Sequence, residues 1–255
     1  MAASSQSSGG SIRAVSRALN LLRLINQRQG IGLNELHRLS GLPKPTVFRI
    51  LLTLQQEGYV EPDGIPGVYH LTSKVQELSA GYSETSLIVK IGAPIVAATT
   101  KAIKWPLAIG TLDGDAMVVR CSTMPRSPLA IQTTTLGHRL NLLESAMGRA
   151  YISGCTPATR ATLADLACER SPVDAERVIR QAVALGYGLR LPTHTGDSAS
   201  LAVPVRGEED PLAVVSLTTF GNTMNNDFIA RLLPSLRSTA EDIRLAYLAH
   251  TAGQA

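Results

Sequence analysis

The feature that most constrains the fold is a helical pattern that begins with two prolines around a lysine, in SGLPKPTVFRILLTL, residues 40–54. Backbone N–H groups in the first turn of a helix have no internal partner, so a proline costs little there. Because the residue before a proline is disfavoured in the helical conformation, we expect Lys44 at the cap and Pro45 at the first helical position. The two prolines therefore define where this helix begins.

Two shorter helical patterns precede this segment and a hairpin pattern follows it. LNELHRLS has three leucines on one side and ends at Gly41, a natural left-handed cap. YVEPDGIPGVYHL offers two extended runs around a turn of Pro, Gly and Asp. In SIRAVSRALNLLRLINQ we expect one buried apolar face, formed by Val15, Ala18, Leu19, Leu22 and Ile25. This order of elements predicts a winged helix-turn-helix domain over residues 11–74.

The helix that begins at the prolines has an apolar face and a polar face. The apolar residues at i, i+3, i+4 and i+7 are Val47, Ile50, Leu51 and Leu54. The opposite stripe, which contains no carboxylate, is Thr46, Arg49, Thr53 and Gln56. Its hydroxyl, guanidinium and amide groups suit a DNA groove lined with phosphates and base-edge acceptors. Any amphipathic surface helix also has a polar stripe, so the neighbouring elements and the charge must support this interpretation.

Positive charge is concentrated in the first third of the chain. Residues 1–75 contain eight Lys or Arg and four Asp or Glu, whereas the remainder contains sixteen of each. An anionic partner would therefore bind the N-terminal domain. Lys44, beside the positive end of its helix, is placed to contact a phosphate.

Composition indicates a globular, intracellular protein of two domains. The chain has 255 residues, of which 44% are hydrophobic and 17% charged. We expect residues 1–10, MAASSQSSGG, to form a disordered tail, and we find neither a signal peptide nor an apolar run long enough to cross a membrane. The three cysteines, Cys121, Cys155 and Cys168, lack C-x-x-C spacing. Free thiols in a reducing cytoplasm are the simplest interpretation, with no structural zinc.

The rest of the chain predicts a second, α+β domain. Residues 72–103 are mostly helical in pattern with a break near Gly81, and we assign 75–90 as a linker helix and 91–252 as the domain. PLAIGTLDGDAMVVRCST predicts a hairpin, and SLAVPVRGEEDPLAVVSLTTFG predicts two more strands. SAMGRAYIS and DAERVIRQAVALGY between them look helical. This mixture predicts an antiparallel sheet with helices packed on it.

RAVSRALNLLRLI, LNELHRLSGLPKPTVFRILLTLQQEGYVE and the short wing resemble the DNA-binding domain of the IclR family of bacterial transcriptional regulators. The resemblance continues through the second domain, which in that family binds an effector and resembles GAF and PAS sensor folds. It implies double-stranded DNA, at a palindromic site, as a partner. The implied contacts come from Arg13, Pro43, Lys44, Pro45, Thr46, Arg49, Thr53 and Gln56. Family members commonly have a small hydroxyl residue where this chain has Pro45, so base preference is not transferred at that position.

In the family, a small carboxylic acid lies between the sheet and a helix that starts with a small-x-G-K/R-A motif, matched here by LLESAMGRAY. Free N–H groups at a helix start can hold a carboxylate. Ser145 is also placed to cap that helix, and the two roles are compatible. Hydroxyls facing a buried sheet indicate a ligand, unless the backbone satisfies them. The resemblance implies Ala146, Met147, Gly148, Ser200, Ser216 and Thr218 as effector-binding residues, and we add Arg190 from residues 186–197, where the chain departs from the family.

GYGLRLPTHTGD, residues 186–197, departs from the family pattern, because Arg190 and His194 stand where acidic residues are frequent. We expect this reversal to favour a larger anion, such as an aromatic or phenylpropanoid-type acid. GYGLR followed by AVPV resembles the branch that regulates phenylpropionate catabolism. Members of that branch are activators, which implies RNA polymerase as a further partner.

The resemblance implies a homodimer or a dimer of dimers, and no cofactor or metal. An enzyme is disfavoured because the chain has no G-x-S-x-G, H-E-x-x-H, P-loop or dinucleotide-binding glycine pattern. Two alternatives stay open at this point. One is a winged-helix module for protein interaction or dimerisation that does not bind DNA specifically. The other is a repressor of the same family that responds to a non-aromatic acid.

Overall fold

The computed structural model describes residues 12–28, 30–64, 67–80, 86–131, 134–168, 174–194 and 197–253. The chain divides into two compact units, Met1–Ser83 and Glu84–Ala255. The predicted tail, residues 1–10, lies outside the described residues.

The first unit combines three helices with a small antiparallel sheet. The helices are α1 (Arg13–Asn26), α2 (Leu33–Ser40) and α3 (Lys44–Gln56). The strands β1 (Ile31–Gly32), β2 (Val60–Pro62) and β3 (Val68–Leu71) pair in the order β1-β3-β2. Buried side chains from all three helices and from two of the strands form one core: Leu21, Ile25, Ile31, Leu36, Val47, Leu51, Leu54 and Val60. This is the predicted winged helix-turn-helix.

The buried face of α1 differs from the predicted one. Leu21 and Ile25 are fully buried, whereas Val15 and Leu19 are 52% and 54% exposed. Apolar residues occur on more than one side of this helix, so their spacing alone did not decide which side packs against α2 and α3. The prediction for Val15 and Leu19 was therefore wrong.

Helix α3 begins one residue earlier than expected. Pro43 is the cap, Lys44 is the first helical residue and Pro45 is the second. The carbonyl oxygen of Pro43 accepts the first bonds of the helix, from the N–H groups of Thr46 at 2.9 Å and Val47 at 3.0 Å. Both prolines lie where no helical N–H is needed, so neither removes a hydrogen bond from α3.

The segment between the two domains is not the single 75–90 helix of the sequence interpretation. A 3₁₀ helix spans Ser73–Ser79, and α4 spans Leu87–Ile103. The Lys74 ammonium donates to the carbonyl of Glu57 at 2.8 Å, which ties the 3₁₀ helix to the first unit. Ile88 and Val89 are buried in the core of the second unit, so the beginning of α4 belongs there.

The second unit is built on a six-stranded antiparallel sheet in the order β6-β5-β4-β9-β8-β7. The strands are β4 (Leu107–Asp113), β5 (Ala116–Ser122), β6 (Arg139–Asn141), β7 (Gly188–Arg190), β8 (Ser198–Val205) and β9 (Ala213–Phe220). The four further helices are α5 (Ala146–Gly154), α6 (Pro157–Cys168), α7 (Ala175–Leu185) and α8 (Asn226–Ala252). The predicted α+β architecture and both predicted strand pairs are confirmed, whereas α6 and α8 went unpredicted.

Alternate residues of the central strands pack on opposite faces of the sheet. One face contacts α4 and α8 through residues such as Ile109, Val203 and Val215. The other face contacts α5 and α7 through residues such as Ala108 and Val214. The sheet therefore lies between two helical layers, and the face toward α5 holds the second site described below.

Candidate DNA-binding surface and effector cavity

The eight predicted DNA-contacting residues all lie on α1, on α3 or at the start of α3. Seven of them are exposed, and only Thr46 is partly buried. Thr46, Arg49 and Thr53 line a groove together with Arg17 of α1. The Thr53 hydroxyl also donates to the carbonyl of Arg49 at 3.1 Å, inside its own helix. The two threonines therefore lie toward α1 rather than on the most outward part of α3.

Arg17 was missed in the sequence interpretation. It is exposed and lines the groove between α1 and α3, which has a volume of about 390 Å³. Its position four residues after Arg13 places both guanidinium groups on the same side of α1. That spacing was the signal that could have identified it.

A cavity of about 320 Å³ lies between the sheet of the second unit and the start of α5. Six of the seven predicted effector residues line it: Ala146, Met147, Arg190, Ser200, Ser216 and Thr218. The seventh, Gly148, does not reach the cavity wall. The structure thus brings together residues from β7, β8, β9 and α5 that are far apart in sequence.

Small side chains on three adjacent strands leave the space for this cavity. Ser216 of β9 pairs with Ala108 of β4 on one side and with Ala202 of β8 on the other. Two residues further along these strands, Ser200 pairs with both Arg190 and Thr218. Because register partners face the same side of a sheet, these residues all face α5.

The start of α5 is held against the strand before it by Gly148 and Ser145. The Ser145 hydroxyl accepts from the N–H of Gly148 at 3.0 Å and donates to the carbonyl of Asn141 at 2.6 Å, which confirms the predicted cap. A Cβ on Gly148 would overlap the backbone of Leu142. Ala146 and Met147 line the cavity, and because they stand in the first turn their N–H groups have no partner within the helix.

Two arginines beside the cavity have different roles. The Arg149 guanidinium donates to the carbonyls of Leu143 at 2.7 Å and Leu189 at 2.6 Å, so it clamps α5 to the adjacent loop and to β7. The Arg190 guanidinium lines the cavity and donates to the hydroxyl of Ser198 at 2.7 Å. Among the described residues, Arg190 forms no ion pair. The cavity therefore contains a cation with no carboxylate bound to it.

Partial burial makes binding of an anion by the Arg190 guanidinium more favourable. Loss of hydration lowers the pKa of the Arg190 guanidinium, and the Asp197 carboxylate opposes this effect. A half-buried guanidinium stays charged in spite of the shift, because its ordinary pKa is far above neutrality. A bound carboxylate would offset the lost hydration with charge-assisted hydrogen bonds.

Further cavity-lining residues were not predicted. Ser198 precedes Ser200 by two residues on the same face of β8, and that alternation was the available signal. The others come from β4, β5, β6 and connecting loops, where the sequence has no ligand-binding pattern: Ala108, Val119, Met124, Thr135, His138, Arg139, Leu140, Asn141, Glu144 and Ser145. His194 lies apart from this cavity and borders a neighbouring one with Thr193 and Asp197.

The described residues offer little for metal binding or nucleophilic chemistry. In these ranges, no three His, Cys, Asp or Glu side chains group as metal ligands would. Burial raises the pKa of the Cys155 thiol to about 12, so it stays protonated, and it donates to the carbonyl of Tyr151. None of the helices described is long and apolar enough to span a membrane.

Comparison with known families identifies the class of protein to which this chain belongs. Residues 14–64 match the family model of the IclR helix-turn-helix domain, and residues 81–245 match that of the bacterial transcriptional regulator IclR C-terminal domain. The chain belongs to the IclR family of bacterial transcriptional regulators. This IclR-family protein is a DNA-binding regulator of transcription and not an enzyme, and it has the family's effector-binding domain.

Named relatives align with nearly the whole chain. The transcriptional repressor IclR of Escherichia coli K12 is 23% identical, with 93% of this chain and 91% of that protein aligned. The crystal structure of Thermotoga maritima IclR superposes with a TM-score of 0.61 at 14% identity, covering 93% of this chain and 99% of that one. An IclR homologue from Microbacterium hydrocarbonoxydans, complexed with 4-hydroxybenzoate, gives 0.54 at 16% identity, with 92% and 99% covered. Both structures share the fold of this chain.

Proposed function

We propose that this regulator binds a small organic acid in the cavity beside α5 and that binding changes its affinity for DNA. The observation that carries this proposal is the half-buried Arg190 guanidinium, which lines the cavity without an ion-pair partner among the described residues. Ala146 and Met147, in the first turn of α5, line the same cavity. A carboxylate placed between them would gain both a charge partner and free hydrogen-bond donors.

The walls of the cavity support a single-ring aromatic acid that carries a hydroxyl group. Val119, Met124, Leu140 and Met147 offer apolar surface for a ring. Hydroxyl groups line the same space, from Thr135, Ser198, Ser200, Ser216 and Thr218. The volume of about 320 Å³ lies at the lower end of the range for small-molecule sites. The many hydroxyls equally favour a hydroxylated aliphatic acid, which is the second candidate.

A thermal-shift screen tests this proposal. We expect at least one acid from a panel of benzoate, 4-hydroxybenzoate, 3-phenylpropionate and gluconate to raise the melting temperature, because a ligand of the folded state must stabilise it. Arg190→Gln should weaken binding of that acid about ten- to a hundredfold, through loss of a charge-assisted hydrogen bond. Calorimetric titration of both proteins measures the effect.

The matched control for that titration is Arg180→Gln. Arg180 is an exposed arginine of the same unit, paired with Glu176 on the surface of α7. It should leave acid binding unchanged. Equal affinity of wild type and Arg190→Gln for the acid would contradict the assignment of Arg190.

We further propose that the regulator acts in the cytoplasm as a homodimer or a dimer of dimers on a palindromic site. Two recognition helices one helical turn of DNA apart require a two-fold arrangement. The GYGLR and AVPV strings support an activator that contacts RNA polymerase and controls a catabolic operon. The Escherichia coli relative is named a repressor, so repression of transcription is the alternative to activation. Transcription from a bound promoter with and without the acid distinguishes the two.

A further inference from the structure

Two large apolar side chains lie exposed on the recognition helix α3. Phe48 is 44% exposed and Leu52 is 42% exposed. They are four residues apart, so they are neighbours on one side of the helix. The core contacts of α3 are made by other residues, Val47, Leu51 and Leu54. Phe48 and Leu52 thus remain available to a partner.

Leu52 lies on the outward surface of α3. With a rotation of about 100° per residue, Pro45, Arg49, Leu52 and Gln56 fall within an arc of about 60°, and Phe48 lies beside it. The outward surface therefore has two side chains of types able to form hydrogen bonds to base edges, Arg49 and Gln56. An apolar residue separates them. This differs from the stripe predicted from sequence, in which Thr46 and Thr53 took the place of Leu52.

The charges on this surface fit DNA as the partner. Helix α3 carries Lys44 and Arg49 and no acidic residue between its bounds. Arg13 and Arg17 add positive charge on α1. In the major groove, the apolar group that a base edge presents is the C5 methyl group of thymine. Hydrophobic side chains on an otherwise cationic, DNA-facing helix are therefore complementary to thymine.

We propose that Leu52, with Phe48 beside it, contacts thymine methyl groups and so helps to determine the operator sequence. This inference rests on DNA binding by α3 and is independent of the effector proposal. Arg and Gln favour guanine and adenine. Arg49 and Gln56 are separated by about 10.5 Å along the helix, roughly three base-pair steps. The half-site then has a thymine between a guanine and an adenine.

Deoxyuridine substitution tests the contact, because it removes only the methyl group. Full-length protein first selects its preferred duplex from a random-sequence library, and each thymine of the half-site is then replaced by deoxyuridine. For wild type we expect one replacement to weaken binding about three- to fivefold, because this is the change in affinity that corresponds to the burial of one methyl group. Leu52→Ala should bind the thymine and deoxyuridine duplexes equally. The control Leu245→Ala removes a leucine of α8 that is 51% exposed and should keep the wild-type penalty.

Three results would overturn the inference. One is equal binding of thymine and deoxyuridine duplexes by wild type. Another is the same methyl penalty in Leu52→Ala as in wild type; a changed oligomeric state of that variant would then assign Leu52 to a protein contact. The third, failure of any duplex to bind in a salt-sensitive manner, would remove DNA binding itself and so differs from the first two.

Discussion

Replacing Gly148 by alanine is expected to destabilise the effector-binding domain by about 3 kcal/mol or more. A Cβ at this position would overlap the backbone of Leu142, which is fully buried and has no room to move aside. The start of α5 must then move away from the strand before it, and that movement opens the cavity wall formed by Ala146 and Met147. Differential scanning calorimetry measures the loss of stability, and titration with the acid measures the loss of binding.

The matched control is Gly253→Ala at the end of α8. Its added Cβ would make only ordinary van der Waals contact, 3.6 Å from the carbonyl of Ala249, so its melting temperature should stay close to that of wild type. A Gly148→Ala protein that melts with wild type and binds acid normally would contradict the close packing of α5 described here.

Replacing Arg49 by alanine is expected to weaken binding to the selected duplex about ten- to a hundredfold. Arg49 is exposed on the outward side of α3, next to Leu52 and opposite the buried Val47 and Leu51. Because it is the guanidinium group on that helix, its loss removes a base-edge contact rather than a core contact. Fluorescence anisotropy with labelled duplex at fixed salt measures the change.

The preferred sequence gives a second readout for Arg49. If Arg49 contacts a guanine, the alanine variant should lose its preference at one base pair while the remaining preferences persist. Arg180→Ala, in the other unit, should leave DNA affinity unchanged. Uniform weakening across all sequences would instead indicate that Arg49 contacts a phosphate.

The elements with a clear period were predictable. Helix α3 has apolar residues at regular spacing and packs as its pattern indicated, and the two β-rich runs form the paired strands β8 and β9 that they predicted. Helix α1 has apolar residues on several sides, so its packing depends on the helices that it meets. Helix α8 has Pro234 inside it and is 27 residues long. A proline within a helical pattern normally argues against predicting one continuous helix through it.

The effector cavity was predictable only where strand alternation or the α5 motif marked it. Ser200, Ser216 and Thr218 stand at alternate positions of two strands, and the structure places them on one face. Arg190 was predicted to bind the effector, whereas the structural role of Arg149 was not predicted. Both are half-buried arginines, and only the two carbonyls that accept from Arg149 show which one is structural. The loop residues around the cavity depend on tertiary packing alone.

In this proposal, binding of an acid in the cavity changes the affinity with which the protein binds DNA through α3. The direct measurement is a DNA-binding titration of wild type and Arg190→Gln, each with and without a saturating concentration of the acid that stabilises wild type. We expect the acid to change the DNA dissociation constant of wild type by about fivefold or more. In Arg190→Gln that change should appear only at much higher acid concentration. If the DNA dissociation constant of wild type is the same with and without bound acid, the two binding sites are not coupled.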